Sequence, residues 1–102
     1  MKKIEREMVE AFTNGTPKKK GNDQIIIADD GRIEYRLHGN RIAHRTTGKL
    51  TVWDAGLLSN TTKSRLNAIL NHYSLPQIVQ KRRVWYWTDG GHVELWARTF
   101  DI

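Results

Sequence analysis

Apolar side chains recur at two different spacings along the chain, and each spacing predicts one kind of secondary structure. Near the N-terminus they recur every three to four residues, as on one face of a helix. These apolar positions are Ile4, Met8, Ala11 and Phe12. The pattern predicts a helix over residues 2–13 that ends at Asn14-Gly15. The charged residues of this segment fall on its other face, namely Glu5, Arg6 and Glu10.

The following segment, residues 14–22, has the composition of a connection. It contains Pro17, two glycines and the three consecutive lysines Lys18-Lys19-Lys20. Proline and glycine interrupt regular structure, and a run of like charges repels itself. We therefore expect an exposed, mobile basic loop here.

Between residues 24 and 53 apolar and polar side chains alternate, as in strands with one buried face. The alternation is clearest over 32–38, where Ile33, Tyr35 and Leu37 share one side. Gly39-Asn40 is the predicted turn of the hairpin that follows. Strands are predicted over 24–28, 32–38, 41–46 and 49–53. Four short strands at such spacing predict an antiparallel meander.

Helical spacing returns over residues 61–73, for which Ser59 or Asn60 is the expected N-cap. The apolar positions of this helix are Leu66, Ile69, Leu70 and Tyr73. Its remaining polar residues are left for solvent or a ligand, and they are Lys63, Arg65, Asn67, Asn71 and His72. A second β region, of one strand or two, is predicted over 77–87. Asp89-Gly90-Gly91 then forms a hairpin turn, and a strand over 92–98 returns beside it.

The fold class that this order predicts is α+β. An antiparallel meander of short strands carries the N-terminal helix and the central helix 61–73 on one face. The chain has 102 residues, the size of one domain, so we expect a single small domain over 1–102.

Charge and composition restrict the possible partners. Seventeen Lys and Arg face eleven Asp and Glu, which gives a net charge of +6 and favours acidic partners. There is no cysteine, which excludes disulfides, thiol nucleophiles and cysteine zinc sites. No run approaches the about 18–20 apolar residues of a membrane span. We expect a cytoplasmic protein with no membrane partner.

The first candidate binding surface combines aromatic and basic residues near the C-terminus. Its members are Lys81, Arg83, Trp85, Trp87, Trp96 and Arg98. Bases stack on indoles while arginine and lysine bind phosphates, so a shared sheet face would suit nucleic acid. The alternative is that these tryptophans form the core, because each buries a large apolar area.

A second candidate is a basic stripe along the predicted meander. Its members are Arg32, Arg36, Arg41, Arg45 and Lys49. In paired strands such residues form a row that can meet phosphates or carboxylates. The alternative is an ordinary solvated sheet face, in which Glu34 pairs with an arginine of the neighbouring strand.

A third candidate is an anion site at the start of the second helix. Asn60, Thr61 and Thr62 lie where free backbone N–H groups and the helix dipole attract anions, with Lys63 and Arg65 close by. The alternative is a simple helix cap with solvated basic residues. No catalytic motif is present, so we expect no enzyme activity, no catalytic residue, no cofactor and no metal.

Three sequence features resemble a family of small uncharacterised bacteriophage proteins. They are the strand Asn40–Arg45, the turn Asp54-Ala55-Gly56 and the helix start Ser59-Asn60-Thr61-Thr62-Lys63. An aromatic strand like 80–87 also follows in that family, and the likeness covers residues 39–88. The resemblance implies phage origin and expression in a bacterial host. It suggests that Asn60, Thr61, Thr62 and Arg65 form either a cap or a binding site.

The foremost functional hypothesis is a small non-enzymatic phage accessory protein that binds a macromolecule through a basic, aromatic-rich surface. The expected partner is nucleic acid or a nucleoprotein complex in the cytoplasm of the host cell. A first alternative is an inhibitor that binds an acidic host protein, such as an enzyme or a defence system. A second alternative is a virion or assembly component.

Overall fold

The elements of the chain alternate between helix and short antiparallel strands. The computed structural model describes residues 2–53, 59–93 and 97–102. In chain order the elements are α1 (Lys3–Asn14), β1 (Lys18–Lys20), β2 (Asp23–Ile27), β3 (Ile33–Leu37), β4 (Asn40–Thr46), β5 (Lys49–Val52), α2 (Asn60–His72), β6 (Ile78–Lys81), β7 (Val84–Trp87) and β8 (Arg98–Asp101). The predicted turn Asp54-Ala55-Gly56 and the candidate residue Trp96 lie outside the described residues.

Six strands form one antiparallel sheet in the order β1-β2-β3-β4-β5-β8. Strands β6 and β7 form a separate two-stranded hairpin. The predicted α+β class, with an antiparallel meander, an N-terminal helix and a central helix, is confirmed.

The core lies between the helices and one side of the large sheet. Residues opposite each other in a ladder share a face, so the pairs Ile25↔Tyr35 and Tyr35↔Ala43 define a buried row. The helices cover this row with apolar residues at helical spacing: Met8, Phe12, Leu66, Ile69 and Leu70. Every apolar residue that the sequence assigned to the second helix is buried except Tyr73, which is half-buried.

Helix α1 ends where its sequence predicts, but one of its charged residues lies on the buried side instead of the predicted solvent side. Gly15 adopts the left-handed conformation (φ 70°) that glycine accepts without strain, and its N–H donates to the carbonyl of Ala11. Glu5, which we expected on the solvent side, is 3% exposed. It is buried because it has a charged partner on α2, which is described below.

The prediction of a loop over residues 14–22 is wrong at its centre. Lys18–Lys20 form β1, which pairs with β2 through Lys18↔Ile25 and Lys20↔Asp23. Without β1 the backbone of β2 would be the exposed edge of the sheet. With β1 present, the three lysines form the edge strand of the sheet. Lysine suits an edge strand, because its charge discourages pairing with another chain. Lys20 also forms an ion pair with Glu7 of α1.

The C-terminal β region is divided differently from the prediction. Residues 77–87 form two strands, which settles the alternative of one strand or two that the sequence left open, because the chain turns at Arg82 and Arg83, both at positive φ. Of the predicted return over 92–98, the described residues show the bridge Tyr86↔His92 and the hydrogen bond from Val93 N–H to the carbonyl of Trp85; residues 94–96 lie outside the described part of the chain. Strand β8 instead pairs with β5, since the match Leu50↔Phe100 buries both apolar side chains and covers the open edge.

The turn between β3 and β4 lies one residue earlier than predicted. Its central residues are His38 and Gly39, both at positive φ, as in a type I′ turn. A bulge follows, because Tyr35 pairs with Ala43 while Arg36 pairs with Arg41. This irregularity keeps Arg36 and Arg41 opposite each other.

Candidate functional site

The face of the six-stranded sheet opposite the helices, called here the outer face, carries one central cross-strand row in which Glu34 and Thr51 are buried. By register this row runs through Ile26, Glu34, His44, Thr51 and Thr99. Arg36 and Arg41 form the neighbouring row together with Gln24, and Lys19 extends that row onto β1. The meander therefore brings residues that are distant in sequence onto one surface.

Glu34 holds three arginines together on this face, and we call Arg32, Glu34, Arg36 and Arg41 the Glu34 cluster. Glu34 Oε1 accepts hydrogen bonds from Nε and Nη2 of Arg36 at 3.1 and 3.0 Å. Its Oε2 lies 3.7 Å from Nη1 of Arg41 and 4.0 Å from Nη2 of Arg32. The Glu34 side chain is 5% exposed, whereas those of the arginines are 34–40% exposed. The buried anion thus fixes three cations that solvent can reach.

An indole and an imidazole border this cluster. The Arg41 guanidinium lies over the Trp53 ring, 4.3 Å from its centroid, and His44 meets the same ring edge-on at 4.8 Å. Burial lowers the pKa of His44, and the nearby charges of Arg32 and Arg41 lower it further. His44 is therefore neutral at pH 7, and its buried Nδ1 has no hydrogen-bond partner among the described residues.

The Glu34 cluster has the chemistry of an anion-binding surface. A guanidinium carries five N–H donors, and Glu34 uses only a few of those available from three arginines. Asp30 binds Arg32 at the edge of the cluster, so three positive charges face two negative ones. Because Glu34 is buried beneath the guanidinium groups, the exposed side of the cluster presents cations and donors to solvent.

Two residues of the predicted basic stripe are engaged elsewhere. Arg45 lies on the helix side, opposite Ile33, and donates from Nε and Nη2 to the carbonyls of Phe12 and Thr13 at 2.9 and 2.7 Å. It satisfies the C-terminus of α1, so its assignment to the stripe is wrong. Lys49 is on the outer face, where it pairs with Asp101 of β8.

Arg65 was a candidate for contact with a partner, but it lies in the interior. It is 8% exposed and donates from Nε to Asp23 and from Nη1 to Glu5, both at 2.7 Å. Tyr35 also donates to Asp23, at 2.5 Å, and Ser64 donates to Glu5. We call these residues the Arg65 network. The buried carboxylates use up the guanidinium, so Arg65 is not available to a ligand.

Burial and hydrogen bonding shift the pKa values of Tyr35 and Glu5 in the Arg65 network. Burial and the hydrogen bond to Asp23 raise the pKa of Tyr35, which keeps its hydroxyl protonated. Burial alone would raise the pKa of Glu5. The hydrogen bonds from Ser64 and Arg65 outweigh that effect, so the pKa of Glu5 lies below its usual value.

The predicted aromatic surface at the C-terminus is largely core. Trp85 and Trp87 are 2% and 9% exposed, which agrees with the alternative that these side chains serve packing. Arg98 binds Asp89 through both nitrogens Nη1 and Nη2 and lies over the rings of Trp87 and Phe100. It joins β8 to the Asp89-Gly90-Gly91 turn that follows β7, and its charge is paired with Asp89. Trp96 lies outside the described residues.

The start of α2 is a helix cap. Ser59 accepts a hydrogen bond from the backbone N–H of Thr62 at 3.1 Å, and the Thr62 side chain is fully buried. Asn60 and Thr61 are exposed, and Lys63 donates to Gln80 of β6 at 3.0 Å. The capping alternative is therefore confirmed for Ser59, and Thr62 is excluded from a surface site.

The remaining candidates, Lys81 and Arg83, are exposed at the tip of the β6–β7 hairpin. Arg82 stands between them and is exposed as well, although it is not among the candidates predicted from the sequence. The sequence left open whether residues 77–87 form one strand or two, and alternation along a single strand would place Arg82 and Arg83 on opposite faces. The turn at Arg82 and Arg83 is evident only from the strand pairs on either side of it, which are Gln80↔Trp85 and Lys81↔Val84.

Comparison with known proteins places the chain in a family. A family model described as Kyanoviridae Gp96 protein matches residues 1–101. The chain belongs to this family. It is a phage family of unknown function, so the resemblance to small phage proteins is confirmed. No curated protein and no solved structure shows significant similarity to the chain.

The described part of this family member contains neither a group of metal ligands nor a membrane-spanning helix. Over residues 2–53, 59–93 and 97–102, no three His, Asp or Glu side chains are grouped as a metal site requires. No helix within the same ranges has the length and apolar character to cross a membrane. The Glu34 cluster and the hairpin tip are thus the candidate surfaces that remain.

Proposed function

We propose that this phage protein is a non-enzymatic accessory protein that binds nucleic acid through its outer face, in the cytoplasm of the host. The observation that carries the proposal is the convergence of three solvent-accessible guanidinium groups on the buried carboxylate of Glu34. An arginine fixed in this way loses little conformational freedom when a phosphate replaces water at its remaining donors.

Neighbouring residues of the outer face support the same partner. Lys19 and Gln24 continue the row of Arg36 and Arg41 across the strands. Trp53 borders the Glu34 cluster with an aromatic ring, and bases stack on such rings. The net charge of +6 attracts a polyanion over distances beyond direct contact.

The test is titration of fluorescent single-stranded and duplex oligonucleotides with the protein across a salt series, followed by anisotropy. The variant Arg36→Gln/Arg41→Gln removes two cations from the Glu34 cluster. Two lost phosphate contacts reduce the slope of log affinity against log salt by about 1.4 for single strands or 1.8 for duplexes.

The matched control is Lys3→Gln/Arg6→Gln, which removes the same charge from exposed positions of α1, on the helix side of the sheet. This control should keep the wild-type slope. Equal losses in both variants would contradict an outer-face site and leave only attraction by net charge. No binding by the wild-type protein at low salt would overturn the proposal.

Two outcomes would support the other hypotheses in its place. A host protein that remains bound after nuclease treatment and in high salt points to an inhibitor of a host enzyme or defence system. Recovery of the protein in purified phage particles points to a virion or assembly component.

A further inference from the structure

We propose that the β6–β7 hairpin is a two-stranded ribbon that enters the major groove of B-form duplex DNA. This inference rests on the proposed nucleic-acid function but concerns a different surface from the Glu34 cluster. It commits to one form of nucleic acid and to one element of the fold.

The hairpin is firmly attached on one of its faces. Ile78, Trp85 and Trp87 are buried in the core. Asn67 of α2 binds the backbone of Ile78 in both directions, accepting from its N–H at 2.7 Å and donating to its carbonyl at 2.8 Å. The ribbon is therefore presented from a rigid base, as insertion into a groove requires.

The opposite face of the hairpin is mostly turned to solvent, although Tyr86 is half-buried and meets the His92 ring edge-on at 4.8 Å. The ladder pairs Val79↔Tyr86 and Lys81↔Val84 place these four side chains together. Val79 and Val84 are 40% and 37% exposed. The exposed face is thus partly apolar, although a solvated hairpin would be expected to carry polar side chains there. In a major groove, apolar side chains contact the methyl group of thymine.

The tip of the hairpin carries positive charge that no described residue neutralises. Lys81, Arg82 and Arg83 are consecutive and exposed, and Lys63 donates to Gln80, the residue before Lys81. Within the described ranges, no acidic side chain forms an ion pair with any of the four. The tip therefore differs from the outer face, where Glu34 and Asp30 offset the arginines.

The backbone at the tip makes these arginines unusual. Arg82 and Arg83 adopt φ of 51° and 67°, and the turn between paired strands needs such values at both central positions. Asn-Gly is the favoured sequence for this turn, because other side chains are strained at positive φ. The other hairpin of this kind follows the preference, with His38-Gly39. The chain thus places two guanidiniums at the tip against local backbone preference.

The dimensions select duplex DNA among nucleic acids. A two-stranded ribbon, with strands about 4.8 Å apart, fits the major groove of B-DNA, which is about 12 Å wide. Arginine at the end of such a ribbon can bind guanine O6 and N7. The major groove of A-form RNA is too narrow for side chains to read. A ribbon reader therefore discriminates between the two duplexes.

The variant Arg82→Asn/Arg83→Gly removes both charges and introduces the residues that this turn prefers. It should keep or raise the melting temperature, so a loss of binding is not a loss of folding. We expect affinity for duplex DNA to fall at least about tenfold at ~0.1 M salt, the value of one good contact between arginine and guanine. Affinity for duplex RNA of the same sequence should change much less.

The matched control is His38→Asn, which places the same preferred turn sequence in the other hairpin and leaves the tip arginines intact. It should bind duplex DNA as the wild type does. A second readout is methylation of guanine N7, which lies in the major groove. The wild-type protein should protect N7 at its binding sites, and the tip variant should not.

The outcomes separate this inference from the proposed function. If the wild-type protein binds no nucleic acid, both are overturned. If binding depends on Arg36 and Arg41 but is unchanged by Arg82→Asn/Arg83→Gly, only the ribbon is overturned. Equal affinity for duplex DNA and duplex RNA also overturns it. Should the tip variant fail to fold, Lys81→Gln/Arg83→Gln must show the same loss of DNA affinity, and unchanged affinity there counts against the ribbon.

Discussion

The Arg65 network and the Glu34 cluster both join arginine to buried carboxylates, but in opposite proportions. In the interior, one arginine serves two carboxylates, Glu5 and Asp23, and all three side chains are less than 10% exposed. On the outer face, one carboxylate serves three arginines, whose side chains are 34–40% exposed.

The difference in proportion separates a structural ion network from a binding surface. Where carboxylates are in excess, the donors of the arginine are used inside the protein and the charges are closed off from solvent. Where arginines are in excess, one buried anion orients several cations and leaves donors for an external anion. The same residue types thus support packing in one place and recognition in the other.

The largest expected effect is on the interior side of this comparison. Arg65→Met leaves Glu5 and Asp23 buried without their cation, which should lower the free energy of unfolding by about 3–5 kcal/mol. Urea denaturation at pH 7 measures this loss. Arg36→Met on the outer face is the matched control and should cost at most about 1 kcal/mol, because its partner remains paired and solvent screens the site. Equal losses would remove the distinction between the two regions.

A smaller effect is expected for the carboxylate of the outer face. Glu34→Gln removes charge-assisted hydrogen bonds from Arg36 and leaves three cations to repel, which should cost about 1–2 kcal/mol. The repulsion is screened at about 1 M salt, where the Debye length is ~3 Å. Stability measured at low and high salt should therefore recover in Glu34→Gln but not in Arg65→Met. An identical salt response of both variants would contradict the contrast.

The smallest effect concerns protonation of His44. Its pKa in the folded protein is lowered by burial and by Arg32 and Arg41, so the unfolded chain binds its proton more readily. The stability that follows is complete above the pKa of the unfolded chain, about 6.5, and is lost as the pH falls through the lower folded pKa. His44→Asn should flatten the decline between pH 7 and 5 in thermal melts. The same change at the exposed His72 is the control, and an unchanged decline in His44→Asn would refute the assignment.

Helical spacing places two charged residues of the Arg65 network on the buried faces of their helices, although charged side chains usually face solvent. Glu5 precedes Met8, Val9 and Phe12 by three, four and seven residues, so it belongs to the buried face of α1. Arg65 likewise lies three residues after the buried Thr62 and four before Ile69. Because both residues are charged, Glu5 was assigned to solvent and Arg65 to solvent or a ligand. A charged side chain is buried only where an oppositely charged partner lies beside it. Glu5 and Arg65 are 60 residues apart in the sequence, so local spacing does not show that they are partners.

The outer face was predicted in part. Alternation over 32–38 correctly placed Arg32 and Arg36 on the side opposite Ile33 and Tyr35. Arg45 was placed on the wrong side, because the bulge opposite Tyr35 and Arg36 changes which residues of β4 face outward. One extra residue in a strand reverses its pattern of sides, and local alternation does not reveal where that residue is inserted.

The sequence by itself determined the helices, most of the strands and the α+β class, because these follow from spacing and backbone preference within a few residues. The tertiary structure alone decided which charges are buried, paired or open. Lys18–Lys20 became an edge strand, Trp85 and Trp87 became core, and β8 joined β5 instead of the hairpin. Burial and ion pairing depend on contacts between residues far apart in the chain, and only the folded arrangement fixes their distances.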